Sequence, residues 1–450
     1  MKYFFTTLVR NTILLVVMFI SFQVFSQETG ISPYSRLGIG TINRSHSPAY
    51  NTMGGASIGL SDFNLINVSN PASYSSFMKH IPIFEVDGST EILNLKSSTS
   101  EGTLAATTFT KIAMGLPLSE RLGVSIGLMP YTTTGYDIIS NSTITNVGEV
   151  SYLFQGKGGV NKVYLGSGYE LIDKDSISLS LGFNANFLFG RIEESRRVEF
   201  PDDNTALNSL ISQSTNHNGF NFDLGLLYKQ MISKSFSFSI GANFSAGGNL
   251  NASRDQLSAT YTNFNSVQVI RDTISFGEDN EGKVRIPMSF TLGGSLNFNK
   301  NLDIAFQYQA QDWTDFKEDF TIPTTQDSLA SSNYFSVGIR YTPVNPFEAT
   351  KYYQSIQYRA GFRYGNSPLQ FNNIAIQEFG TSFGLGIPIR KSASNKGEFK
   401  SLSMINIGVE VGKRGTTEAG LIQENFTNIY FGISIMPQAQ NRWFVKRKFN

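Results

Sequence analysis

The chain has 450 residues with 36 basic and 35 acidic side chains, and this near balance gives no support to a nucleic-acid partner. It contains no cysteine, which excludes disulfides, lipid attachment through cysteine and thiolate metal sites. Charged residues reach 16% against roughly 25% in soluble proteins, while 37 Phe and 19 Tyr suit strands that face lipid.

Residues 1–26 read as a secretory signal. Lys2 and Arg10 supply the positive flank, Ile13 to Ile20 the apolar core, and Val24-Phe25-Ser26 a small-residue cut site before Gln27. Cleavage there leaves 34 basic against 35 acidic residues. Downstream, no apolar run reaches the roughly 18 to 20 residues of a membrane-spanning helix.

Residues 27–79 carry no alternation of apolar and polar positions. They hold Ser32-Pro33-Tyr34-Ser35-Arg36, then Gly54-Gly55-Ala56, Asp62 and Asn70-Pro71-Ala72. Glycine at 54, 55 and 59 permits close backbone approach, and Pro71 biases Asn70 toward extended or turn geometry. On chemistry alone this is an irregular N-terminal arm.

From residue 80 to 437 the pattern changes to period 2. Leu302, Ile304, Phe306, Tyr308 and Ala310 interleave with Asp303, Gln307, Gln309 and Gln311. Ile177 to Phe189 and Phe236 to Phe244 repeat the scheme. Strands are expected near 81–95, 103–118, 121–138, 148–172, 176–195, 217–231, 234–250, 282–298, 301–319, 331–343, 354–369, 376–389, 400–413 and 425–437. Connections at 117–120, 172–175, 232–234 and 299–301 are tight, whereas 196–216, 251–281 and 412–424 are expected as long loops. Tight turns at one end and long loops at the other, with an even strand count, specify an all-β fold: a transmembrane antiparallel β-barrel of about 14 strands. Only closure satisfies every backbone group in lipid. Tyr131, Tyr136, Trp313, Tyr341 and Tyr364 fall near strand ends, where rings sit at the lipid–water boundary. Residues 438–450 form a basic tail, read as a periplasmic extension.

The order Gly54-Gly55-Ala56, Asp62, Asn70-Pro71-Ala72 ahead of a barrel resembles the FadL-type outer-membrane channels for long-chain fatty acids and aromatic hydrocarbons. The Ser32 to Arg36 opening is similar to FadL-like proteins of the Bacteroidetes type, some of which serve secretion. The resemblance implies that residues 27–79 lie inside the barrel as a hatch. Hydrophobic ligand would then be captured among outward loops, pass the hatch and leave sideways or down the duct.

The wet face of the strands is expected to carry Arg340, Arg359 and Arg363, with Asp223, Arg285, Asp303 and Glu410 on other strands. The three arginines are candidates to hold an anionic headgroup, since guanidinium forms a fork matched to a carboxylate. A barrel interior also contains such arginines simply as partners of its own carboxylates. His46, His80 and His217 show no metal-ligand spacing and read as solvated surface residues, so no enzyme, metal or cofactor is indicated. The expected function is passive passage of hydrophobic compounds, with long-chain fatty acids first, across the outer membrane of a Gram-negative bacterium. The rival is a closed FadL-like barrel that docks a protein partner as a plug or interaction subunit of a type IX secretion complex, using the basic tail and the 251–281 loop as contact surfaces.

Overall fold

The computed structural model describes residues 30–44, 47–145, 147–202, 206–264, 267–320, 328–371, 374–393 and 400–438. The signal segment, His46 and the basic tail lie outside them.

Fourteen antiparallel strands close into one barrel. They are β1 Ile83–Lys96, β2 Glu101–Pro117, β3 Leu122–Ile144, β4 Gly148–Lys174, β5 Ile177–Glu199 and β6 Asn208–Ser233. Strand β7 runs in two pieces, Phe236–Ser245 and Gly248–Phe264, as does β8, Val267–Ile286 and Ser289–Phe298. The rest are β9 Leu302–Asp312, β10 Ser331–Tyr341, β11 Gln357–Phe371, β12 Ile374–Ala393, β13 Lys400–Arg414 and β14 Gln423–Ile435. Closure comes from β14 pairing with β1, from Gln423 opposite Lys96 to Ile435 opposite Phe84.

Alternation decides which face meets lipid. Leu181, Phe183, Phe187, Phe222, Leu224, Phe306 and Phe362 are all exposed on the outer surface, whereas Asn184, Asn186 and Gln307 between them are buried in the lumen. This apolar exterior belongs to an outer-membrane barrel, in which lipid rather than protein covers the rings. Tyr341 and Tyr364 share that surface. Of the near-side turns, Asn299 (φ 53°) and Lys300 (φ 60°) between β8 and β9 adopt positive φ, the handedness that follows the twist of the flanking strands.

The far ends differ from expectation. The stretches 196–216 and 251–281 are largely strand: β5 runs on to Glu199, β6 begins at Asn208, and Gly248–Phe264 pairs with Val267–Ile286 as a ribbon with three register shifts. Sequences such as Ser258-Ala259-Thr260-Tyr261-Thr262 lack Gly and Pro and favour strand geometry. With about 9–11 residues enough to cross the bilayer, the 27 residues of β4 and 26 of β6 carry the wall well beyond it.

Two breaks invert the pattern on that taller half. Below Pro287, Phe290 and Leu292 face out; above it, Val284 and Ile286 are fully buried and Arg285 is exposed, against its expected inward position. Gly247 does the same on β7, since Ile240 and Phe244 face out whereas Leu250 and Ala252 face in. The inverted residues join Ile39, Val160, Leu188, Ile192 and Trp313 in an apolar cluster inside the far lumen. Trp313 packs within the barrel rather than at the lipid boundary because the 313–320 segment after β9 folds inward, and Tyr131 does so at the β3 register shift between Pro130 and Thr132. His217 is likewise 5% exposed in β6 rather than solvated.

Only two tryptophans occur in the chain, so this packing is directly observable. In a Trp443→Phe background the remaining Trp313 is expected to emit blue-shifted fluorescence and to resist aqueous acrylamide. A red-shifted, freely quenched signal would show the 313–320 segment standing away from the lumen.

Candidate functional site

The N-terminal segment threads the barrel interior. Thr41 and Ile42 pair with Thr133 and Thr132 of β3, and the Ser35 hydroxyl accepts the Gly135 N–H at 3.0 Å. A single helical turn follows at Pro48–Asn51, with Pro at its first position as helix starts favour. The Gly54 N–H then donates to Ser382 Oγ at 3.1 Å, and the Ser57 and Ile58 N–H groups share Gln307 Oε1 at 3.1 and 3.0 Å. Asn70 has three roles. Its Nδ2 donates to the carbonyls of Ile58 (2.8 Å) and Leu226 (3.0 Å), and its Oδ1 accepts the Ala72 N–H, capping the 3-10 helix Pro71–Ser76. Gly54, Gly55 and Ala56 sit in a tight turn with φ of 68° and 85° at the glycines.

The wall receives this segment through its own glycines. A Cβ on Gly361 would lie 2.0 Å from the Gly54 nitrogen, one on Gly182 2.1 Å from the Ala72 nitrogen, and one on Gly241 2.0 Å from the Ile58 oxygen. These are backbone atoms, which cannot swing aside as side chains can. Inward glycine is therefore a steric requirement for the segment to fit. Sequence reading missed these positions, although Gly at a wet-face position inside long alternating runs was the available signal.

Buried ion pairs complete the attachment. Asp62 accepts from Arg340 Nη1 at 2.8 Å and from the Tyr50 hydroxyl at 3.0 Å, while Arg340 Nε reaches Asp303 at 2.8 Å. Burial alone would raise the Asp62 pKa, but Arg340 and the two hydrogen bonds hold it below the usual carboxylate range. Glu378 gathers three cations: Arg44 of the segment at 3.1 Å, Arg414 at 3.3 Å, and Arg363 in direct contact. Arg363 also contacts Glu410, and Arg414 pairs with Glu424 at 3.0 Å. Ser32 Oγ donates to Glu424 at 2.5 Å, tying the start of the described chain to β14.

Of the three arginines singled out in the sequence, the chain's own carboxylates occupy Arg340 and Arg363. Arg359 is different: it donates to Asn406 Oδ1 at 2.8 Å and to Gln357, and its Nε has no hydrogen-bond partner.

Two chambers lie on opposite sides of the segment. The far one, about 340 Å³, is lined by amides and charges including Asn186, Asn221, Asn243, Gln309 and Lys162. The near one, about 540 Å³, is bounded by Asp62, Phe63, Met78, Lys229 and Phe347. They share no lining residue, because residues 48–72 fill the space between. Beside the far chamber the wall has a seam. Among the described residues, strands β2 and β3 pair only from Ile112 opposite Leu128 to Pro117 opposite Gly123, although β2 reaches back to Glu101 and β3 on to Ile144.

A family model described as BamG matches residues 8–450. No curated protein matches the chain. Among solved structures the chain is similar to the Ralstonia pickettii toluene transporter TbuX, with a TM-score of 0.55 at 15% identity over 87% of this chain and 98% of that one. The Pseudomonas putida toluene transporter TodX gives 0.55 at 14% identity with the same coverages. A Pseudomonas aeruginosa FadL homologue gives 0.53 at 10%, over 88% and 99%. At such identities the likeness is one of fold.

Proposed function

The chain belongs to the BamG family, and from that premise we propose that it is a closed-barrel interaction subunit of an outer-membrane assembly complex. One observation carries the reading: residues 48–72 divide the lumen into two chambers with no lining residue in common. A conduit for oily compounds needs a continuous apolar passage, since each buried CH₂ of a ligand gains about 0.8 kcal/mol only where it meets apolar surface. Here the divider is pinned by backbone hydrogen bonds, close glycine contacts and the Arg44–Glu378 and Asp62–Arg340 pairs. In this role the N-terminal segment is a fixed hatch, and the outer wall and rims carry the function.

A second reading is favoured by the apolar cluster around Trp313. It lies at the mouth where a hydrophobic molecule would enter, and the β2–β3 seam offers a sideways exit. In that case the chain passes hydrophobic compounds, long-chain fatty acids foremost, and of the three arginines Arg359 is the one bonded to amides, with its Nε unpartnered.

Purification from outer membranes in mild detergent separates the two readings. The interaction subunit is expected to bring down a stoichiometric partner, and liposomes holding the purified chain are expected to take up oleate no faster than empty ones. A solitary barrel with accelerated uptake would overturn the first reading and establish the second. The identity of the partner then decides between an outer-membrane assembly complex and the type IX secretion machinery.

A further inference from the structure

The geometry points to the open edge of β2, residues 101–110, as a docking site for an extended β-strand of a second outer-membrane protein. The inference rests on the interaction-subunit reading and names the surface it would use. On one side these residues pair with β1, from Lys96 opposite Glu101 to Gly88 opposite Phe109. On the other side β3 has departed above Ile112, and its freed edge is taken by Thr41, Ile42 and Ser35 of the N-terminal segment rather than by β2. About half of the peptide groups along this stretch of β2 therefore point into the seam, as antiparallel geometry requires.

Such an edge pairs with any strand that reaches it unless charge, proline or a covering element prevents it. Residues 102–110 read Gly-Thr-Leu-Ala-Ala-Thr-Thr-Phe-Thr, with no charged residue and no proline. Thr103, Ala105 and Thr107 are exposed, and Phe109 is 39% exposed. Unpaired peptide groups next to lipid are costly, so an uncharged edge at this position is suited to being covered.

Among the described residues no backbone group bonds to this side of the edge. Upstream of Gly30, cleavage before Gln27 would leave three residues, against ten of open edge. The tail after Ile435 departs from the opposite end of the barrel, where Ile435 stands beside Phe84, and it carries Lys446, Arg447 and Lys448. An uncharged strand from another protein fits the hydrogen-bonding row and the small side chains of this edge.

The test uses the full chain in its native outer membrane, with p-benzoyl-phenylalanine placed singly at Thr103, Ala105, Thr107 and, as a paired-strand control, Phe431 of β14. Strand addition is expected to give cross-links from the three edge sites at least tenfold above the control, landing on partner residues that advance by two for each two-residue step. Recovery of the partner is expected to fall at least tenfold in Thr107→Pro. Thr103→Lys is expected to act likewise and covers the case in which the proline prevents folding. Cross-links into residues before Gly30, equal yield at Phe431, or partner recovery unchanged in a folded variant would overturn the proposal. In the last case the interaction-subunit reading stands; a wild-type barrel that recovers no partner removes both.

Discussion

Gly361→Leu is expected to unseat the N-terminal segment and open the barrel. The new side chain would start 2.0 Å from the Gly54 nitrogen and 2.1 Å from the Met53 carbonyl carbon, so rotamer changes cannot relieve the clash. Overpacking a core usually costs about 1–3 kcal/mol, and a collision with main chain belongs at or above the top of that range. The barrel wall keeps its own hydrogen bonds, so the segment is the part that yields. In planar bilayers the variant is expected to conduct ions where the wild type is silent, and protease is expected to cut within residues 48–77. Gly102→Leu is the control, because nothing lies within 4 Å of a Cβ there. A silent, protease-resistant Gly361→Leu barrel would show that the segment does not press on β11 as described.

Glu378→Ala is expected to lower stability by about 3–5 kcal/mol, the usual result of deleting one partner from a buried ion pair. The carboxylate is 3% exposed and meets Arg44, Arg363 and Arg414. Arg363 retains Glu410 and Arg414 retains Glu424, so Arg44 is the cation whose described ion pair is lost. The damage thus concentrates on the attachment of the N-terminal segment. Glu378→Gln, which keeps the volume, is expected to fall between wild type and alanine. The measurement is the urea midpoint for loss of the compact band on unheated gels. An unchanged midpoint for alanine would mean that the three cations find other partners or water.

The barrel was legible because lipid on one side and a polar lumen on the other force period 2, and Ile177 to Phe189 or Leu302 to Ala310 have no other reading. Strand number and closure followed from counting such runs. The far rim was less readable. A stretch such as Gln268 to Glu281 exposes Ile270, Ile274 and Phe276, but Asp272 and Glu278 and three register shifts break their alternation, so it resembles loop in composition. The inversion at Gly247 and Pro287 was also hidden, since a one-residue change of phase moves every side chain to the other face while leaving composition untouched. At the candidate site, Asp62 and Asn70 were picked out by motif order, and both prove to be hydrogen-bonding centres. Arg44, Glu378 and Glu424 were not singled out, because their partnership spans hundreds of residues and no local pattern records it.

The bond between Ser32 and Glu424 joins positions 392 residues apart, one near the beginning of translation and the other on the final strand. The portion synthesised early consequently has no complete seat until nearly all of the rest is in place. Contacts so distant along the polypeptide make maturation slow. Until the final strand is in place the leading residues lack this anchor, so their lodging inside the cylinder depends on the last part of the chain to be made.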